Sequence, residues 1–235
     1  MKINDAIQGS PEWLQVRAGC ITASRAKDAR SRLKTGKPSS AMEKYAKQVA
    51  VERVAGEPVE KFFVTEAMRF GTEQEPLARA QYEVVTGHLV EEAGFITSDD
   101  GLFGYSSDGL VGEDGCIEIK TLVSCERIVD LIGSKDVSDF IDQVKQGLWL
   151  TNRKWCDVVL WAPALKKIKR EMTIVHVDRV EDEIAVAGGD GLVGERRPGE
   201  EAEHEGKAGG GNRTKQWGGS HGDTSKDRRC PAARG

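Results

Sequence analysis

The sequence predicts an α/β domain over residues 1–185, a mixed central β-sheet flanked by helices, followed by a glycine-rich segment at 186–235. Three observations predict it. Between residues 11 and 86, apolar residues recur at helical spacing. From 89 to 122, short apolar runs are separated by Gly and Asp turns, as strands are. After residue 137, a helical stretch is followed by two β-rich runs. A chain that mixes the two periods in this way buries its helices against a sheet. There is no internal repeat.

The elements follow in order. "PEWLQVRAG" reads as a short helix ended by Gly19. "SSAMEKYAKQVAVERVAG" carries Met42, Tyr45, Ala46 and Val49 at helical spacing, with Gly56 as its stop. Residues 72–86 suit a helix with Leu77, Ala80 and Val84 on one face. "LVEEAGFITS", "GLFGYSS" and "GCIEIKTL" suit three strands. "VSDFIDQVKQGLWLTN" is a helix that turns Phe140, Val144, Leu148 and Leu150 inward. "WCDVVLWAP" and "REMTIVHVD" are strands, and "EDEIAVA" begins a last helix.

Composition limits the function classes. Hydrophobic residues make up 38% and charged residues 31%, which fits a globular domain. No apolar run approaches the roughly 20 residues that span a membrane. "MKINDAIQGSPEW" lacks the apolar core of a secretory signal. Five cysteines in no C-x-x-C pair fit a reducing cytoplasm better than a disulfide framework. The four histidines form no H-E-x-x-H pair, so a zinc site has little support. The net charge of −4 argues against a surface coated in basic residues, yet leaves room for a local basic groove.

About half of the chain's 27 glycines fall after residue 185, with almost no Ile, Leu, Val or Phe. Such a segment buries too little apolar area to offset its ordering entropy, so disorder is expected there. A frameshifted coding end would produce the same abrupt change. The "NRT" at 212–214 is discounted as a glycosylation acceptor in a cytoplasmic chain.

The chemistry concentrates in "GYSSDGLVGEDGCIEIKTL", residues 104–122. Alternate side chains of a strand share a face. Cys116, Glu118 and Lys120 therefore share one face of "GCIEIKTL", and Ile117 and Ile119 the other. The turn "GEDG" at 112–115 folds Asp108 back towards Glu118, with Lys120 one pleat further on. Two carboxylates this close repel unless a proton or a cation lies between them. A hard divalent cation such as Mg²⁺, which keeps water in its shell, is one solution. With a lysine beside it, the set suits phosphodiester hydrolysis. The plain alternative is an ordinary Asp-Gly turn and a solvated Glu and Lys on an open strand face.

Other stretches occur in one order with this one: "GSPEWLQVRAGCITASRA", "GTEQEPLARAQYE" at 71–83 and "DQVKQGLWLT" at 142–151. Together, over residues 9–178, the chain resembles the phage-type alkaline exonucleases, the lambda exonuclease and YqaJ-like viral recombinase family of the PD-(D/E)xK nuclease superfamily. The resemblance implies catalytic roles for Asp108, Glu118, Lys120, Glu75 and Gln143. It implies Mg²⁺, with Mn²⁺ as a substitute, held by Asp108, Glu118 and the backbone carbonyl of Ile119. Arg17 and Ser24 would hold the 5′-phosphate of a DNA end. A proline usually precedes the motif aspartate; Ser107 stands there. The resemblance further implies a 5′-to-3′ exonuclease on duplex DNA that leaves 3′ overhangs, a homotrimer, a single-strand annealing partner, and a phage or prophage origin in a bacterial cytoplasm.

Alternatives remain at this stage. Thr72-x-x-Glu75 fits a capping box. Arg17 suits a surface ion pair, Ser24 an N-cap, and Gln143 a plain polar helix position. "SRAKDARSRLKTGKP" at 24–38 and "LKKIKR" at 165–170 are basic runs that would follow a phosphate backbone or simply form solvated faces. A PD-(D/E)xK endonuclease or repair nuclease, and a DNA-binding recombination accessory that does not cut, are the competing functions.

Overall fold

The structure is a computed structural model that describes residues 1–59 and 64–187, all of which belong to one unit. Of the expected tail, Val186 and Ala187 end the last helix, and 188–235 lie outside the described residues.

The N-terminal half opens with β1 (Lys2–Asn4) and α1 (Pro11–Arg17). The side chain of Ser10 caps α1 by accepting from the Trp13 amide, and Pro11 supplies the first helical φ. Gly19 follows at φ +73°, where an added Cβ would lie 2.6 Å from Arg53 Cγ, so the stop read from sequence is also a close packing point. Next come β2 (Ile21–Thr22), α2 (Ala26–Arg30) and α3 (Ser40–Ala55), the last ended by Gly56 in the left-handed region. Tyr45 and Val49 of α3 are buried as expected, but Ala46 is exposed. The helix expected from 72 begins at Glu66 and runs to Thr86 as α4, capped by Thr65.

The strands follow: β3 (Val90–Glu91), β4 (Phe95–Thr97), β5 (Phe103–Ser106), β6 (Gly109–Val111) and β7 (Gly115–Thr121). After β7 come α5 (Cys125–Ser134), α6 (Ile141–Thr151), β8 (Trp155–Trp161), β9 (Met172–Asp178) and α7 (Glu181–Ala187). The expected single mixed sheet is divided in two. One sheet has the order β1-β4-β5-β2, the other β3-β6-β7-β8-β9. The hairpin pairs β6 with β7 in the register Gly109↔Ile117, Leu110↔Cys116, Val111↔Gly115. β7 and β8 are parallel, and their connection carries α5 and α6.

Both faces of the larger sheet are covered. Cys116, Cys156, Val158 and Leu160 pack against Ile128, Leu131, Val144 and Leu148 of α5 and α6. Ile117, Ile119, Val159 and Trp161 pack against Ala78 and Tyr82 of α4. The apolar face expected on α4 is therefore not the buried one: Leu77 is 52% and Val84 79% exposed. The inward stripe mixes Gln74, Glu75, Ala78 and Tyr82, polar enough to hide from an apolar periodicity. Two of the polar members have hydrogen-bond partners: Tyr82 Oη donates to Asp157 Oδ2 at 2.6 Å, and Gln74 Oε1 accepts from Trp161 Nε1 at 3.1 Å.

Gly147 of α6 lies on the buried Tyr105 ring, and an added Cβ would sit 2.7 Å from Tyr105 Cζ. Gly147→Ala is expected to destabilise the protein by roughly 1–3 kcal/mol, read by denaturant unfolding, because a buried ring cannot move aside cheaply. On the outer strand, His176 Nδ1 lies 2.6 Å from Asp157 Oδ1. Burial works against the imidazolium, but the hydrogen bond and charge of Asp157, with Asp178 behind, hold the His176 pKa above its ordinary value. The stabilisation is complete below the unfolded-state pKa of about 6.5 and is lost as pH rises through the folded value. His176 is half exposed, so His176→Gln should cost only about 0.5–1 kcal/mol at pH 5.5, shrinking towards pH 8–9, in paired unfolding curves.

Candidate active site

Asp108 sits between β5 and β6, so the chain delivers it to the mouth of the hairpin. Ser107, in the place of the family's proline, shapes this bend by hydrogen bonds instead of a ring. Its Oγ donates to the Gly109 carbonyl at 2.9 Å and accepts from the Gly109 amide at 3.2 Å. Asp108 Oδ2 then accepts from the Ile119 amide at 2.7 Å. One carboxylate is thereby locked to the backbone between Glu118 and Lys120.

Glu118 is only 2% exposed. Lys120 Nζ donates to Glu118 Oε1 at 2.7 Å and to Gln143 Oε1 at 3.0 Å. Gln143 Nε2 closes the triangle by donating to Glu118 Oε1. Gln143, in the first turn of α6, is thus no plain polar helix position. Glu118 and Lys120 are not solvated strand residues either, because α6 covers their face. Tyr105 Oη lies 3.4 Å from Glu118 Oε2.

Charge inside this group is strained and mutually dependent. Burial raises the Asp108 pKa well above its ordinary value, and the negative field of Glu118 adds to it, against Lys120. Burial also raises Glu75, opposed by Arg79 one helical turn on and reinforced by Glu118. For Lys120 burial acts against the ammonium, but Glu118 and then Asp108 outweigh it, so its pKa is raised and it stays charged. Among the described residues, no group of three or more His, Cys, Asp or Glu side chains is arranged as a finished metal centre. The donors are instead the carboxylates of buried Glu118 and half-buried Asp108, which repel each other, with Ile119 lining the same cleft. That oxygen set is the chemistry a hard divalent cation takes, so Asp108, Glu118 and Ile119 fit the ion the resemblance implies.

These residues line a cleft of about 430 Å³ that also reaches Glu75, Arg17 and Ser24. Glu75 lies well inside α4, which starts at Glu66, so the capping-box reading fails. Ser24 lies within a short 3-10 turn, Ala23–Arg25, whose N-cap is Thr22, so it is not an N-cap either. Arg17 makes no ion pair among the described residues; its guanidinium carbon lies 3.9 Å from the Trp13 ring centroid. Burial lowers the Arg17 pKa.

The structure adds residues that the sequence reading missed. Ser106 lines the same cleft and accepts from Trp13 Nε1 at 3.1 Å. Only the need of a buried indole for an acceptor pointed towards it. The basic run at 24–38 is less free than expected. Arg25 pairs with Asp28, Lys27 with Asp139 and Arg30 with Asp142, which leaves Arg32, Lys34 and Lys37 around the Arg32↔Pro38 bridge. Lys166 and Lys169 of the second run line a different cavity, with Glu171.

The raised Asp108 pKa has a sign that can be tested. Ionisation is penalised in the fold, so stability falls as pH rises from the unfolded value of about 3.9 to the folded one. Asp108→Asn keeps an oxygen for the Ile119 amide and removes the penalty. In chelator it should unfold at higher temperature than wild type at pH 8, with the gain vanishing near pH 4.

Residues 12–154 match the family model described as the YqaJ-like viral recombinase domain. The structure is similar to the crystal structure of an alkaline exonuclease (LHK-Exo) from Laribacter hongkongensis. The TM-score is 0.66 and the identity 31%, over 76% of this chain and 87% of that one. The same figures, 0.66, 31%, 76% and 87%, hold for LHK-Exo in complex with dAMP. A phage related exonuclease from Haemophilus somnus 129PT shares the fold at 14% identity and TM-score 0.60, over 72% of this chain and 88% of that one. No match was found among curated proteins. The chain has the PD-(D/E)xK-type α/β fold of these exonucleases and belongs to the YqaJ-like viral recombinase family.

Proposed function

We propose that this chain is a Mg²⁺-dependent exonuclease that digests one strand of duplex DNA from its 5′ end and leaves a 3′ single strand for phage-type recombination. The observation that carries the proposal is the Asp108–Glu118–Lys120–Gln143 group beside Glu75, in a cleft that Arg17 also lines. The likeness to an alkaline exonuclease, one form of which is bound to dAMP, supports the same substrate class.

Asp108, Glu118 and the Ile119 carbonyl would hold Mg²⁺ or Mn²⁺, which lowers the pKa of a bound water and offsets phosphate charge. The residues do the rest. Lys120, charged and anchored by Gln143, would orient the attacking water and offset the charge that builds on the phosphate oxygens. Water adds to phosphorus and gives up a proton, the bond to the 3′ oxygen breaks, and the departing 3′ oxygen takes up a proton to leave as a hydroxyl. The next nucleotide is left with a new 5′-phosphate, the group that Arg17 and Ser24 would receive in the following cycle. Arg32, Lys34 and Lys37 would contact the duplex backbone, a sequence-independent and salt-sensitive contribution. A homotrimer and a single-strand annealing partner complete the proposal, and neither is needed for the chemistry.

The test is nucleotide release from linear duplex DNA with 5′-phosphate or 5′-hydroxyl ends, with and without Mg²⁺, beside a closed circle. Release should need Mg²⁺, favour the phosphate, spare the circle, and fall on the order of a hundredfold or more in Lys120→Ala. Nicking of the circle would favour a PD-(D/E)xK endonuclease. DNA binding without any release would favour an accessory protein.

A further inference from the structure

We propose that Trp13 is a positioning residue that sets the preference for phosphorylated 5′ ends, by holding Arg17 and Ser106 through one indole. The inference rests on the reading that the Arg17 end of the cleft receives a terminal phosphate. Trp13 is 5% exposed and lies on α1, while Ser106 ends β5 in the smaller sheet. The two elements meet the cleft from different sides, and the indole contacts both.

Each contact leaves a donor for an incoming anion. The Arg17 guanidinium is stacked over the ring, 3.9 Å from centroid to guanidinium carbon. Stacking uses the face of the guanidinium and leaves its five in-plane N–H groups for oxygen acceptors. At the other end of the indole, Nε1 carries a hydrogen and has no lone pair to offer. In the 3.1 Å contact Ser106 Oγ must therefore be the acceptor. The Ser106 hydroxyl hydrogen is directed elsewhere, and Ser106 lines the cleft with Arg17 and Ser24. One indole thus holds a cation and orients a hydroxyl, and both residues line the same cleft. An anion with several oxygens, such as a terminal phosphate monoester, suits such a pair; a 5′-hydroxyl does not.

The plain alternative is that Trp13 only fills a small core with Cys20 and Phe95. Selectivity separates the two. The quantity is the ratio of nucleotide release from 5′-phosphorylated and 5′-hydroxyl duplexes, with inhibition by inorganic phosphate as a second reading. Trp13→Phe keeps an aromatic face for Arg17 but has no N–H, and Ser106→Ala removes the same bond from its other end. Each is expected to lower the ratio on the order of tenfold and to weaken phosphate inhibition, as loss of one charge-assisted hydrogen bond does. The double variant should be no less selective than Ser106→Ala alone, because Trp13 acts through that hydroxyl. Trp13→Leu, which loses face and donor, should abolish the preference wherever it folds. Equal losses on both kinds of end in Trp13→Phe, or losses that simply add in the double variant, would overturn the inference. A wild-type enzyme that cuts both ends alike would overturn the phosphate pocket itself, and this inference with it.

Discussion

A buried carboxylate beside a half-buried ammonium is the constraint around which this molecule is arranged. Glu118 lies in the central part of the larger sheet, with α6 on its own face and α4 on the opposite one. Removing such charges from water costs several kcal/mol unless partners with good geometry surround them. The register of β6 and β7 brings Asp108 to the Ile119 amide, alternation along β7 brings Lys120 beside Glu118, and α6 lays Gln143 across both. The apolar layers on either side supply the stability that this group does not.

A cation between Asp108 and Glu118 would relieve the repulsion between them. Burial and like charge hold Asp108 towards its neutral form, while Lys120 remains cationic. A divalent ion would reverse the first effect and leave the lysine free to act on a phosphate. Stability and activity are then coupled through the same few atoms. The N-terminal elements answer a different need. They place Arg17 in the lining of the same cleft, over Trp13 and without a carboxylate partner among the described residues, so that a substrate anion would meet a cation already held in place.

The grouping of Asp108, Glu118 and Lys120 was legible in the sequence because strand alternation is a strict rule. Glu118 and Lys120 had to share a face, and a four-residue turn had to return Asp108 towards them. Gly19 and Gly56 marked helix ends for an equally local reason, their positive φ. The apolar spacing along α4 points to the face that the fold leaves exposed. Its inward face serves the site and an inter-layer hydrogen bond, so Leu77 and Val84 stand outside while Gln74, Glu75 and Tyr82 turn in. The division of strands into two sheets was also invisible, since pairing partners are not written in any single strand.

By itself, then, the sequence determined the α/β class, the order of elements and the identity of the acidic and basic groups, because these depend on residue type and spacing along one segment. The tertiary structure decided which charges survive as partners and which remain available. Arg25, Lys27 and Arg30 are taken up by aspartates, two of them distant in sequence, while Arg17 is left over a tryptophan. That distinction depends on which segments meet in space, and Ser106 could become visible only once β5 and α1 had been brought to the same cleft.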